Sequence, residues 1–130
     1  MTTNSERLAE AMAAVTRGDV EGFADILLAD EIVWHWPGRS SVAGDYRGRE
    51  EVIGLIRGFH ELTQGRLRVE PVDILEGREY LMSFTHVTAD QEGGHLDVTM
   101  ADAMRFGDDG LVVEYWTLSN DQQAVDAFIG

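Results

Sequence analysis

Between Tyr80 and Leu118 the chain reads as three consecutive β-strand patterns joined by two Gly-containing turns, and the middle strand carries a lone carboxylate, Asp102, between Met100 and Met104. Side chains alternate across a strand, so these three residues share one face. An ionisable group on an otherwise apolar strand face is costly to bury unless it is hydrogen-bonded or neutralised. Whatever stands beside Asp102 is therefore the question on which the reading of the chain turns.

Hairpin register follows loop length. Gly107 to Gly110 reads as a four-residue loop that sets Phe106 opposite Leu111, hence Asp102 opposite Tyr115 and Met104 opposite Val113. The turn near Glu92 to Gly94 sets Met100 opposite His86 and Asp102 near Phe84. One face then collects Met82, Phe84, His86, Met100, Asp102, Met104, Val113 and Tyr115. The other carries Ala101, Ala103, Glu114, Trp116 and Leu118, a mixture of small residues and an exposed Trp that suits a homodimer interface. A bulge in the last hairpin would bring Trp116 and Glu114 to the first face in place of Tyr115.

The rest of the chain supplies covering helices. Thr3 followed by Glu6 reads as a capping box for a helix with Leu8, Ala11, Met12 and Val15 on one side, ended by Gly18. Asp19 caps a second helix whose apolar face is Val20, Phe23, Ala24, Ile26 and Leu27. Glu31 to Trp36 reads as a strand stopped by Pro37 and Gly38, and Arg39 to Gly48 as a loop. A third helix begins near Arg49 and buries Val52, Leu55, Ile56 and Phe59; its Gly54 and Gly58 are expected to permit close packing on a sheet. Arg66 to Leu75 is a further strand, and Asn120 with Gln123 reads as the capping box of a last short helix. The order predicts a single α+β domain over residues 1–130, with helices covering a curved antiparallel sheet.

Composition narrows the class of partner. The chain has 130 residues with 24 acidic and 10 basic side chains, the basic ones all Arg, for a formal charge of -14. That excess repels phosphate backbones and anionic membranes, so neither nucleic acid nor membrane is expected as a partner. There is no Cys, which excludes disulfides and thiolate chemistry. No pair among His35, His60, His86 and His95 has metal-ligand spacing, and neither metal nor cofactor is expected. The opening residues lack an apolar signal core and no run reaches membrane-spanning length, so a cytoplasmic protein is expected.

Several short motifs in this order resemble the nuclear transport factor 2-like superfamily, in its SnoaL-like and ketosteroid-isomerase-like branch. They are Gly18-Asp19, Ala29-Asp30-Glu31, Pro37-Gly38, Tyr46-Arg47-Gly48-Arg49 and the run Ala101-Asp102-Ala103-Met104-Arg105-Phe106 before a Gly-containing turn. The resemblance implies a cone: a bent sheet wrapped round a pocket, closed by the N-terminal helices, often as a homodimer. It also implies that Asp102 stands where ketosteroid isomerases place a carboxylic acid kept protonated to hydrogen-bond a developing enolate. Two positions depart from that enzyme. Trp36 occupies the place of its general base, and Ala9 to Val15 contain no Tyr.

Two functions follow from these residues. One is a cofactor-independent enzyme of isomerase, cyclase or epoxide-hydrolase type, acting on a hydrophobic oxygenated small molecule. Asp102, His86 and Tyr115 are its candidate catalytic residues, and Trp34, Trp36, Phe59, Met82, Phe84, Met100 and Met104 its substrate-binding walls. The alternative is a non-catalytic protein that holds a small-molecule ligand in the same pocket, which the missing carboxylate at Trp36 favours.

Overall fold

Local capping chemistry sets the first two helices where the sequence places them. The computed structural model describes residues 3–130. In it α1 (Asn4–Thr16) starts at Thr3, whose hydroxyl oxygen accepts from the Glu6 N–H at 3.1 Å and donates to the Glu6 carboxylate at 3.1 Å. The Asp19 carboxylate accepts from the Gly22 N–H at 2.9 Å and opens α2 (Val20–Leu27). Next come β1 (Leu28–Trp36), β2 (Gly44–Arg47) and α3 (Arg49–Thr63), then β3 (Arg68–Glu76), β4 (Tyr80–Gln91), β5 (Gly94–Phe106), β6 (Val112–Ser119) and α4 (Gln122–Ile129). None of the described helices is long and apolar enough to cross a membrane.

The six strands form one curved, unclosed sheet in the order β2-β1-β6-β5-β4-β3. All neighbours are antiparallel except β1 and β6, which run parallel. Irregular pairing in β1, in β6 and at Pro71 of the edge strand β3 bends the sheet, since each extra residue kinks its strand. Ile32, Trp34, Leu81, Val87, Met100, Met104 and Tyr115 line the inner face and meet Leu8, Phe23, Val52 and Ile56 from the helices in one apolar core.

The two hairpins differ from the expected registers in an instructive way. The β4–β5 turn is a two-residue loop, Glu92-Gly93, with Gln91 opposite Gly94 and Gly93 at φ +80°, a backbone state open mainly to glycine. That one-residue difference reverses β4: Ser83 stands opposite Asp102 and Thr85 opposite Met100, while Met82, Phe84 and His86 turn to the outer face. In the β5–β6 hairpin Phe106 pairs with Val112 but Arg105 with Glu114, so Val113 is a bulge. Loop and bulge together shift the register by two residues, which preserves the face. Asp102 therefore lies opposite Thr117 and Met104 opposite Tyr115, and Tyr115 stays inside despite the bulge, with Trp116 outside.

Two smaller expectations are corrected. β2 occupies part of the segment read as a loop, because four residues on a sheet edge carry almost no periodic signal. The cap of α4 is Asp121, which accepts from the Ala124 N–H at 3.1 Å; Asn120 instead accepts from the Thr99 N–H at 3.1 Å. At the end of β1, Gly38 has φ +94°, and a Cβ there would lie 2.2 Å from the Asp126 carboxylate, so the chain passes close against α4 and holds it over the end of the sheet. The Arg39 N–H donates to the same carboxylate at 3.0 Å.

Gly54 and Gly58 do not serve close packing, since a Cβ at either position meets nothing within 4 Å. They open instead onto a shallow groove beside Val42 and Tyr46. Each then costs helix stability without a packing return. Gly54→Ala and Gly58→Ala are each expected to stabilise the protein by about 0.5–1 kcal/mol in urea denaturation, additively.

Candidate functional site

Among the described residues, the buried carboxyl and hydroxyl side chains of the inner sheet face gather where β4, β5 and β6 lie side by side. Asp102 is 5% exposed there, with Ser83, Thr85 and Thr117 also buried around it. The Thr85 hydroxyl donates to Asp102 Oδ2 at 3.2 Å, and the Tyr115 and Thr117 hydroxyls lie near the same carboxyl group and favour its charged form. The Trp34 indole donates to Thr117 Oγ1 at 3.0 Å, which directs the Thr117 proton onward to Asp102. Ser83 Oγ lies 3.2 Å from Thr85 Oγ1 and extends the chain of hydroxyls. Trp34 also stacks on Tyr115, with ring centroids 3.7 Å apart and planes at 16°.

Burial is the dominant influence on the Asp102 carboxyl and raises its pKa to about 6 from the ordinary 3.8, against the opposing hydrogen bonds of Tyr115, Thr85 and Thr117. The Tyr115 phenol is pushed well above its usual value, first by burial and then by the charge and hydrogen bond of Asp102. At neutral pH, then, Asp102 is mostly ionised and Tyr115 is a donor.

Asp102, Tyr115 and Thr117 form part of the wall of a cavity of about 100 Å³ that opens partly to solvent. The rest of the wall is mainly apolar: Trp34, Trp36, Phe59 and Met100 are in it, as expected, with Phe23, Val125 and Phe128 from the helices. Met104 is fully buried on the inner face but stands in the core rather than at the cavity. Trp36 packs against Phe59 at 4.9 Å, and its indole Nε1 is enclosed with no hydrogen-bond partner.

Met82, Phe84 and His86 are the corrections here. All three lie on the outer face, because the two-residue β4–β5 turn reverses their strand. His86 Nε2 lies 2.7 Å from Asp97 at the surface. His35 faces outward and holds Asp45 and Glu114, each at 2.7 Å, on its two ring nitrogens. Burial lowers its pKa, but the hydrogen bonds and charges of those two carboxylates outweigh this and raise it. The residues that sequence reasoning missed are Ser83, Thr85 and Thr117. Their signal was present in the run Leu81, Ser83, Thr85, Val87, Ala89, which alternates correctly once the turn is shortened by one residue.

The pKa of Asp102 has a consequence for stability. The folded state holds this proton more tightly than the unfolded chain, so the contribution is most favourable below 3.8 and is lost as pH rises through about 6. The difference is on the order of 3 kcal/mol. In urea denaturation from pH 4 to 8, Asp102→Asn is expected to gain stability relative to wild type as pH rises, by that order, with the gain complete above pH 7. A constant difference across the range would contradict the burial of an ionising carboxyl.

Among known proteins, the family model of the SnoaL-like domain matches residues 8–115. No curated protein sequence matches the chain. The solved structure of Bal32a, from a soil-derived mobile gene cassette, is 27% identical with a TM-score of 0.91, over 98% of this chain and 96% of that one. A protein of unknown function with a cystatin-like fold from Xanthomonas campestris is 23% identical with a TM-score of 0.89, over 100% and 99% of the two chains. TerC, co-crystallised with polyporic acid, is 16% identical with a TM-score of 0.83, over 97% of each. The last two likenesses are of fold.

Proposed function

The chain belongs to the SnoaL-like domain family, and on that premise we propose a cofactor-independent enzyme that acts by acid/base catalysis on a hydrophobic oxygenated small molecule. Its reaction is of isomerase, cyclase or epoxide-hydrolase type. The observation that carries this reading is Asp102: a buried carboxylate at an otherwise apolar cavity, held by three hydroxyl donors, with its pKa raised to about 6. A base is most effective when its pKa lies near the working pH. In this proposal Asp102 takes the proton and returns it, Tyr115, Thr85 and Thr117 hold the carboxylate in place, and Trp34, Trp36, Phe59 and Met100 form the apolar wall. His86, on the far side of the sheet, takes no part. The co-crystallisation of TerC, which shares the fold, with polyporic acid supports a small-molecule ligand.

Turnover of a panel of small hydrophobic ketones, phenols and epoxides tests the proposal. Wild type is expected to convert at least one, with kcat/KM rising with pH through about 6 as Asp102 ionises. Asp102→Asn is expected to lose roughly 100-fold or more while remaining folded. Full activity in that variant would remove Asp102 from the chemistry. A second reading, a ligand-binding protein without turnover, is favoured by one observation: Asp102 and Tyr115 are the only titratable side chains among those lining the cavity. Binding without conversion by both proteins would select it.

The outer sheet face supports a homodimer as part of the same proposal. Leu75, Tyr80 and Leu118 are each more than half exposed there, beside Trp116, which lies 6.4 Å from Tyr80. Apolar side chains gathered on one sheet face favour a partner surface over water. Sedimentation at micromolar concentration is expected to give a dimer that Leu118→Glu converts to monomer; a wild-type monomer would contradict it.

A further inference from the structure

The cavity beside Asp102 is not closed on every side. Among the described residues that line it, all are buried except Phe59, Leu62, Val69 and Ile129. Three of these, Phe59, Leu62 and Ile129, also line the groove along α3. The opening of the cavity therefore faces that groove, and the two spaces share a partition of apolar side chains.

The groove is the larger space, about 430 Å³ against about 100 Å³. Gly54 and Gly58 stand about one turn apart on the same side of α3 and line it together with Val42, Tyr46 and Leu55. A Cβ at either glycine meets nothing within 4 Å, so a larger side chain would stand in the groove itself. The helix gives up stability at two positions, and what it gains is open space. The larger polar side chains of the groove are already engaged. The Tyr46 hydroxyl donates to the Val42 carbonyl at 2.5 Å, and the Glu51 carboxylate accepts from the Arg47 N–H at 2.9 Å. What is left for a ligand to meet is apolar surface.

We propose that cavity and groove are two halves of one ligand site, which takes an elongated molecule with a small head beside Asp102 and an apolar tail lying over Gly54 and Gly58. The sizes of the two parts follow from the two spaces. At the ratio of ~150 Å³ for the six carbons of benzene, about 100 Å³ takes a head of roughly four non-hydrogen atoms. From Gly54 to Leu62 the groove follows roughly 12 Å of helix, at ~1.5 Å per residue. The inference rests on the preceding reading of Asp102 as the reacting group and adds the shape of the molecule brought to it.

Straight-chain alcohols are the probes: 1-propanol, sized to the cavity alone, and 1-octanol, long enough to reach the groove. Binding to the full chain is followed by NMR at the Asp102 carboxyl carbon and at the amides of Gly54 and Gly58. The expected result is that 1-propanol moves the Asp102 resonance alone. 1-Octanol moves all three and binds about 100-fold more tightly, each methylene in the groove contributing about threefold. Gly58→Leu is expected to weaken 1-octanol binding about tenfold or more while raising stability in urea denaturation, since Leu is the better helix former. Gly54→Leu is expected to act alike. Lower long-chain affinity in a more stable protein separates the groove from a defect in folding. Equal affinity for the two alcohols, or undiminished 1-octanol binding in Gly58→Leu, would overturn the inference and leave the reading of Asp102 standing. Shifts at the glycine amides without one at Asp102 would overturn it by making the groove a separate site. If neither alcohol moved any of the three resonances, the inference and the reading it rests on would fall together.

Discussion

The structure depends on how one carboxylate is kept ionised in an apolar interior. Desolvation alone drives Asp102 toward its neutral form, and three hydroxyls from the two neighbouring strands pull it back. Neither effect prevails completely, which leaves the group with a pKa close to neutrality. The same hydroxyls tie strands together: Thr85 is on β4, Asp102 on β5, Tyr115 and Thr117 on β6, and Trp34 reaches in from β1. A network of this kind is expensive if one member is lost, since each remaining polar group is then buried without its partner.

Delivering those groups to one point is the work of the sheet. A two-residue turn puts Thr85 on the inner face, and the Val113 bulge slides β6 until Thr117 rather than Tyr115 stands opposite Asp102. Tyr115 then reaches the carboxyl diagonally and stacks beneath Trp34. The helices complete the site by excluding water. α1, α2 and α3 cover the concave face, and α4, fixed to the end of β1 through Asp126 and Gly38, places Val125 and Phe128 against the cavity. Water exclusion strengthens every remaining electrostatic interaction inside.

Much of this arrangement was legible in the residues. Strand alternation put Met100, Asp102 and Met104 on one face and turned Trp34 and Trp36 together toward the pocket, and the capping residues Thr3 and Asp19 marked the first helices. The β4 assignments failed for a specific reason. Glu92, Gly93 and Gly94 can close a hairpin with two loop residues or three, and that choice exchanges the whole set Met82, Phe84 and His86 for Ser83, Thr85 and Val87. In β6 the longer loop and the bulge offset one another in parity, so Tyr115 was placed correctly while its cross-strand partner was not. The hydroxyl network carries a signal only in the alternation from Leu81 to Ala89, because Ser and Thr on a strand read as ordinary surface residues until the register is known.

The central claim is that Asp102 ionises near neutrality because burial outweighs its three donors. A carbon-13 NMR titration of the Asp102 carboxyl, assigned by its absence in Asp102→Asn, tests this without any substrate. The account predicts an inflection at about 6. An inflection at the ordinary 3.8 would mean that burial does not outweigh the donors, and would contradict the acid/base role built on the raised value.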